Sequence, residues 1–203
     1  MQHAEPLDHG VAETPSLGVD NRKLLMWLFL GSEAMFFGSL IATYLLYRGK
    51  SVSGPFPGHG FEYNIPYTSV SSFVLLMSSL TMVLALAAIQ RGDQRGLRTW
   101  LLATAMLGLV FVGGQAFEFT SFVEKGVTIH TNVFGSSFFT LTGFHGAHVT
   151  VGIVILLSLF VMALRGRITP ENSLTIELAG LYWHFVDVVW ILIFTLVYLY
   201  SAH

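Results

Sequence analysis

His184 and Asp187 stand three residues apart in the stretch GLYWHFVDVVW, Gly180 to Trp190. On a helix that spacing puts both on one face, among the aromatic side chains of Tyr182, Trp183, Phe185 and Trp190. An acid and a histidine so placed could pass protons, share a metal ion, or tie two helices together by hydrogen bonds. His145 and His148, in TGFHGAHVTVG, repeat the spacing, and Glu33 in GSEAMFF and Glu118 in GQAFEF add two carboxyl groups. All six fall in apolar runs, with Glu177 at the margin of the last one. A charged residue at the centre of a membrane helix costs roughly 2.5–3.5 kcal/mol even on the lenient insertion scale, so such groups are kept where they face protein or water.

The elements that must position these groups follow from composition. The chain is 53% hydrophobic and 11% charged, far below the roughly 25% charged residues of a soluble domain. Windows long enough to cross a bilayer occur at about 24–47, 68–90, 99–119, 137–164 and 178–200, each near the ~20 residues a spanning helix needs. The expected fold is therefore all-α, an integral membrane bundle of five transmembrane helices over residues 23–203, preceded by a polar tail at 1–22. That tail is acidic and lacks the basic and apolar pattern of a signal peptide.

Arg22, Lys23, Arg91, Arg95, Arg98, Arg165 and Arg167 fall on one side of the spans, and Arg48, Lys50 and Lys125 on the other. By the positive-inside rule the first side is cytoplasmic, which puts the N-terminus inside and the C-terminus outside. The segment GKSVSGPFPGHGFEYNIPY, rich in Gly and Pro, reads as an irregular outer loop, and TIHTNVFGSS before the fourth span reads as a surface loop. Ala34, Gly38 and Ala42 on the first span, and Gly143 with Ala147 and His148 with Gly152 on the fourth, have the spacing of four that admits a close neighbouring helix. The chain contains no cysteine, which excludes disulfides, thiolate metal sites, iron–sulfur clusters and a thiolate-bridged copper centre. A net charge of −2 without a basic cluster gives no sign of a nucleic-acid partner.

Counting from the cytoplasmic ends at about 1.5 Å per residue puts Glu33, His184 and Asp187 roughly 12–16 Å deep, and His148, His145 and Glu118 roughly 24–31 Å deep. Two layers of acid and histidine predict pairing within each, Glu33 with His184 or Asp187, and Glu118 with His145. Two uses remain open for them. They are buried polar ties between helices, or Glu33, flanked by Met35, Phe36 and Phe37, exchanges protons or binds a lipid headgroup. Glu-x-x-His pairs of the di-iron type are missing, so no metal ligand and no catalytic residue is expected in this chain. An independent five-span proton channel using the Glu33, His184 and Asp187 layer is the alternative from another class, and a membrane metalloenzyme is a third.

Five stretches taken together resemble one family, subunit III of the haem–copper respiratory oxidases, in its five-helix bacterial form. They are GSEAMFF (Gly31 to Phe37), QRGDQRGLRTW (Gln90 to Trp100), GQAFEF (Gly114 to Phe119), TGFHGAHVTVG (Thr142 to Gly152) and YWHFVDVVW (Tyr182 to Trp190). The resemblance implies a non-catalytic subunit of a proton-pumping terminal oxidase in the bacterial cell membrane. It implies direct contact with the catalytic subunit I, which carries the haem and copper, membership alongside subunit II, and support of proton uptake and working lifetime. It implies bound phospholipid, with Glu33 at the family's buried glutamate and Arg165 and Arg167 where basic residues meet a lipid phosphate. Glu118, His145, His148, His184 and Asp187 match polar interior positions. The two helices that precede this region in the seven-helix form, and that wall the lipid cleft, have no counterpart here. Cytochrome c is the expected electron donor, with quinol as the alternative.

Overall fold

The computed structural model describes residues 20–47, 56–57, 60–61 and 64–200. The acidic tail at 1–19, most of the Gly- and Pro-rich loop, Arg48 and Lys50 lie outside these described residues. Five helices carry the fold: α1 (Asn21–Tyr47), α2 (Ile65–Gln90), α3 (Gln94–Glu124), α4 (Val133–Leu164) and α5 (Ser173–Ile193). A 3₁₀ turn, Pro170–Asn172, leads into α5, and a π-helical segment, Phe194–Leu199, continues it. In the loop before α2, two-residue strands β1 (Phe56–Pro57) and β2 (Gly60–Phe61) pair in parallel. All five helices are long and apolar enough to cross a membrane.

Each helix boundary has a local cause. Asn64 accepts a hydrogen bond from the Tyr67 N–H with Pro66 in the first turn of α2, and Asp93 accepts from the N–H groups of Arg95 and Gly96 at the start of α3. Those side chains satisfy amides that the first turn of a helix leaves open. Gly92, Gly126 and Gly166 adopt positive φ just past α2, α3 and α4. In all three places the glycine N–H and the one after it turn back to the helix, as at Gly92 N to Ile89 O and Asp93 N to Ala88 O, a closure that needs the left-handed backbone glycine adopts freely.

The start of α4 corrects one expectation. Val133 to Ser137, part of the stretch read as surface loop, is helical, because the Asn132 side chain caps the Gly135 amide at 2.7 Å and Phe134 and Gly135 are buried. Gly135 lacks the Cβ that would strike the Thr128 carbonyl, so the new helix can fold tightly against the preceding turn.

The helices α2, α3, α4 and α5 form a block in which α3 packs on α2 and α4, and α5 packs on the same two. α1 rests on α4 and α5 at the edge, burying Phe37 and Tyr44. Its stripe of Ala34, Gly38 and Ala42 is exposed, and nothing stands within 4 Å of a Cβ built at Gly38 or Gly143. The expected close approach therefore does not occur through that stripe within this chain. It occurs at Gly108 of α3 and Gly152 of α4, which both pack on the six-membered ring of the Trp183 indole of α5. The end of the bundle that holds most of the basic residues is laced by Gln94 Nε2 donating to Ile168 O (2.9 Å), Arg98 Nε donating to Ala163 O (3.1 Å), and the Lys23–Glu177 ion pair at 2.7 Å.

Candidate functional site

Glu33, near the middle of α1, meets His148, near the middle of α4: Oε2 to Nε2 is 3.2 Å, and the two side chains are 19% and 20% exposed. His148 Nδ1 lies 2.7 Å from the Phe144 carbonyl oxygen. A carbonyl only accepts, so Nδ1 carries a hydrogen. Nε2 is then the ring atom turned toward the Glu33 carboxyl group. Phe37 packs edge-on to the His148 ring at 5.0 Å, and Phe36 meets Phe144 at 5.2 Å, which shields the pair on the helix side.

This pairing replaces the expected one of Glu33 with His184 or Asp187. Depth counted from the ends of apolar runs assumes that every run starts in one plane. At about 1.5 Å per residue, the 32 residues of α4 outreach the 27 of α1, so equal membrane depth corresponds to unequal counts. The Glu33–His148 contact joins the two layers.

His184 instead places Nδ1 2.7 Å from the Ser79 hydroxyl of α2. Ser79 also faces Asp187, which is buried, without a hydrogen bond of ordinary geometry to either carboxyl oxygen. Glu118 is buried and accepts from Thr68 (2.8 Å) and from Tyr198 (3.2 Å), so its expected pairing with His145 is also corrected. His145 is fully buried, stacked on Trp190 at 4.9 Å with Phe111 edge-on at 5.9 Å, and neither ring nitrogen has a hydrogen-bond partner. Of the six candidates, Glu118, His145 and Asp187 are buried, whereas Glu33, His148 and His184 are only half-buried.

The partners that sequence reasoning missed sit on α2. Thr68 serves Glu118, Ser72 accepts from Trp190 Nε1 (2.8 Å), Ser78 accepts from Trp183 Nε1 (2.9 Å), Ser79 meets His184, and Thr81 meets Thr104 of α3 at 2.8 Å. This ladder of hydroxyls joins α2 to α3 and α5 at nearly every turn. Its signal in the sequence is the run of Ser and Thr inside an otherwise apolar span, which read only as weakly polar. Each hydroxyl also bonds a carbonyl of its own helix in the cases of Ser72, Ser78 and Thr81, so these residues cross an apolar span without an orphan proton.

Beside the Glu33–His148 pair, α1, α4 and α5 enclose an open apolar cavity of about 600 Å³. His148 contributes to its wall, with Phe29, Val151, Ile155, Leu159 and Tyr182. Its lining includes Met26 and Leu178, one turn and one residue from the Lys23–Glu177 ion pair. Arg165 and Arg167 are exposed on either side of Gly166 in the turn after α4. Among the described residues no three His, Asp or Glu side chains gather into a set that could hold a metal ion. Of the three histidines within the spans, His145 is boxed by aromatic rings, His148 meets Glu33, and His184 meets Ser79.

The family model of cytochrome c oxidase subunit III matches residues 17–202. The chain belongs to that family. It is 38% identical over 205 residues to the quinol oxidase subunit 3 of Bacillus spizizenii, covering 98% of this chain and 97% of the relative. Against the cytochrome c oxidase subunit 3 of Corynebacterium diphtheriae it is 39% identical over 172 residues, 84% of each chain. Against that of Bacillus sp. strain PS3 it is 39% identical over 179 residues, 88% of this chain and 86% of the relative. A subunit III of a terminal oxidase complex, built from five apolar helices and with bacterial relatives, is a multi-pass bacterial membrane protein.

Proposed function

We propose that this subunit III is an accessory, non-redox component of a proton-pumping oxidase that reduces oxygen to water, stabilising the catalytic subunit I and supporting its proton uptake. The observation that carries this reading is His148, paired with Glu33, on the wall of the apolar cavity. An acid–histidine contact beside an open apolar groove suits a subunit that supports proton uptake and holds lipid beside a neighbour's catalysis. In that reading the cavity takes phospholipid acyl chain, and Lys23, Arg165 and Arg167 at the basic end are the cations available to its phosphate. The basic end is cytoplasmic by the positive-inside rule.

Relatives named for either donor match at nearly equal identity, 38% for the quinol oxidase subunit and 39% for the cytochrome c oxidase subunits. The donor is a property of the neighbouring chains, and reducing the purified complex with quinol or with cytochrome c assigns it. Depleting this subunit from the complex tests the role itself: the initial rate of oxygen reduction remains measurable, and the number of turnovers before inactivation falls. An undiminished turnover lifetime in the depleted enzyme refutes the supporting role. Isolation of the tagged chain without any haem-bearing subunit, with proton movement in liposomes, would favour the independent channel.

A further inference from the structure

Glu118 has two donors and Glu33 meets His148; Asp187 has neither kind of partner. It is 3% exposed, on the buried face of α5 with Trp183 and Trp190, and neither carboxyl oxygen has a hydrogen-bond partner. No cation offsets it among the described residues. α2, opposite, carries no Asp, Glu, Lys, Arg or His. On the other helices Lys23 is paired with Glu177, His148 with Glu33, and His145 is stacked on Trp190. A carboxylate left unpaired in such a place is costly.

The hydroxyl that faces Asp187 is Ser79 of α2. Its oxygen lies 2.7 Å from Nδ1 of His184, which stands one turn before Asp187 on α5. His184 is half-buried on the seam between α2 and α5. Its Nε2 has no partner among the described residues and is absent from the buried unpaired atoms, so it reaches the surface of the bundle. Two turns of α5 separate it from Glu177 at the basic end. Ser79 therefore stands between a buried carboxyl group and a ring whose far nitrogen is at the surface.

A serine hydroxyl has one proton to give and can also accept, so two arrangements serve both neighbours. In the first, Nδ1–H donates to Ser79 Oγ and Ser79 donates to the Asp187 carboxylate. In the second, protonated Asp187 donates to Ser79, Ser79 donates to Nδ1, and the ring hydrogen is on Nε2. The two differ by one proton. We propose that Asp187, Ser79 and His184 form a proton-exchange site, in which the buried carboxyl group gains and loses its proton through the serine hydroxyl and the histidine ring. Hydronium at the seam gives a proton to Nε2 and becomes water; the Nδ1 proton passes to Ser79 Oγ as the Ser79 proton passes to Asp187, and the reverse sequence returns it. In the structure Ser79 is engaged with His184 and faces Asp187 without bonding it, so the exchange includes a movement of the carboxyl group toward Oγ. The inference goes beyond the supporting role and does not depend on it.

The test is infrared spectroscopy of the purified complex during a change from H2O to D2O. The difference between the native complex and D187N isolates the carboxylic C=O band of Asp187 from the acids of the other subunits, and its shift on deuteration times the exchange. A relay and a purely structural tie predict opposite signs. If Ser79 and His184 only hold the helices together, S79A and H184Q loosen the seam and speed exchange through local opening. If they conduct, both variants slow it by about tenfold or more. Glutamine can bond Ser79, yet it cannot take a proton at one end and release another from the other. S79T keeps a hydroxyl and is expected to keep the native rate. Unchanged or faster exchange in S79A and H184Q overturns the proposal, and so does the lack of a carboxylic band for Asp187 at every pH at which the complex is stable. Where S79A fails to assemble, H184Q decides by the same sign, and loss of the subunit from both marks them as structural ties and overturns it too. The supporting role, read from turnover lifetime, stands or falls separately.

Discussion

The Trp183 clasp allows a stability prediction whose sign is decided by geometry. A methyl group at Gly152 would lie 2.8 Å from two carbons of the indole, and one at Gly108 would lie 2.7 Å from a third. The ring has little freedom to retreat, because both glycines meet its six-membered ring and Nε1 is anchored on Ser78 at 2.9 Å. Alanine in place of glycine favours a helix by about 0.8–1 kcal/mol, whereas forcing a methyl into a filled core costs typically about 1–3 kcal/mol. With a rigid neighbour the cost lies toward the upper end, so Gly152→Ala loses a net of about 1–2 kcal/mol. Gly38→Ala supplies the control, since no atom stands within 4 Å of the added Cβ. It is expected to match or exceed the native chain. The two differ by about 2–3 kcal/mol in SDS-titrated unfolding of the chain in mixed micelles, followed by circular dichroism. Trp183→Phe alone destabilises by lost volume and a lost hydrogen bond, yet it gives the methyl room, so Gly152→Ala on that background costs almost nothing and the coupling is about 2 kcal/mol. If Gly152→Ala were as stable as Gly38→Ala, or if its penalty were unchanged beside the smaller phenyl ring of the double variant, the clasp would not be the constraint described.

Further outcomes follow from the polar contacts. Glu33→Gln leaves the complex assembled, since an amide still reaches His148, whereas Glu33→Ala strands the ring nitrogen and lowers the detergent-stable yield of complex; loss of assembly in Glu33→Gln would give the carboxyl charge a structural role. Thr68→Val and Tyr198→Phe each remove one donor from buried Glu118 and cost about 1–3 kcal/mol, with the double variant less destabilising than the sum if the two donors share one carboxylate. His145→Phe is tolerated or stabilising, because neither ring nitrogen is bonded and the surroundings are aromatic; a marked loss of thermal stability would reveal a hydrogen bond to that ring. Asp93→Ala removes the cap on two amides of α3 and costs about 1 kcal/mol, measurable as a lowered melting temperature of the solubilised complex.

What could be read from the sequence, and what could not, divides along physical lines. Existence and type of the five helices were legible because bilayer thickness imposes a length and an apolarity that composition alone reveals, and QRGDQRGLRTW carried its turn openly: Gly92 for the left-handed backbone, Asp93 for the cap, Gly96 for the room the Asp93 carboxyl occupies. The six ionisable residues were legible as a set, since an acid or histidine in an apolar run stands out by its cost. Their partners were not. Glu33 finds His148 instead of His184 because the helices differ in length, and equal counts along them do not mean equal depth. The hydroxyl ladder of α2 escaped notice for the opposite reason: Ser and Thr cost little in a helix that satisfies them, so they raise no alarm, and only a neighbour's indole, imidazole or carboxyl gives them a role. Small residues misled in the same way, as Gly38 and Gly152 share a spacing pattern while only Gly152 meets another helix.

The three contacts of the YWHFVDVVW stretch therefore form one device. Trp183 locks α5 between α3 and α4 with its nitrogen on α2, and Tyr182 ties α5 to α4 through the His148 carbonyl at 3.0 Å. With α5 fixed against rotation by these two residues, the adjacent His184 has only the α2 seam to occupy, where Ser79 takes one nitrogen and the other faces out. Gly108 and Gly152 thus help to hold α5, and with it His184, against α2. A substitution at either glycine is expected to displace α5 as well as lower the stability of the bundle, so a nitroxide pair on Val188 of α5 and Val83 of α2 should report an altered distance in Gly152→Ala even under conditions where the chain stays folded by circular dichroism. An unaltered distance in that variant would show that the seam is positioned by α2 alone.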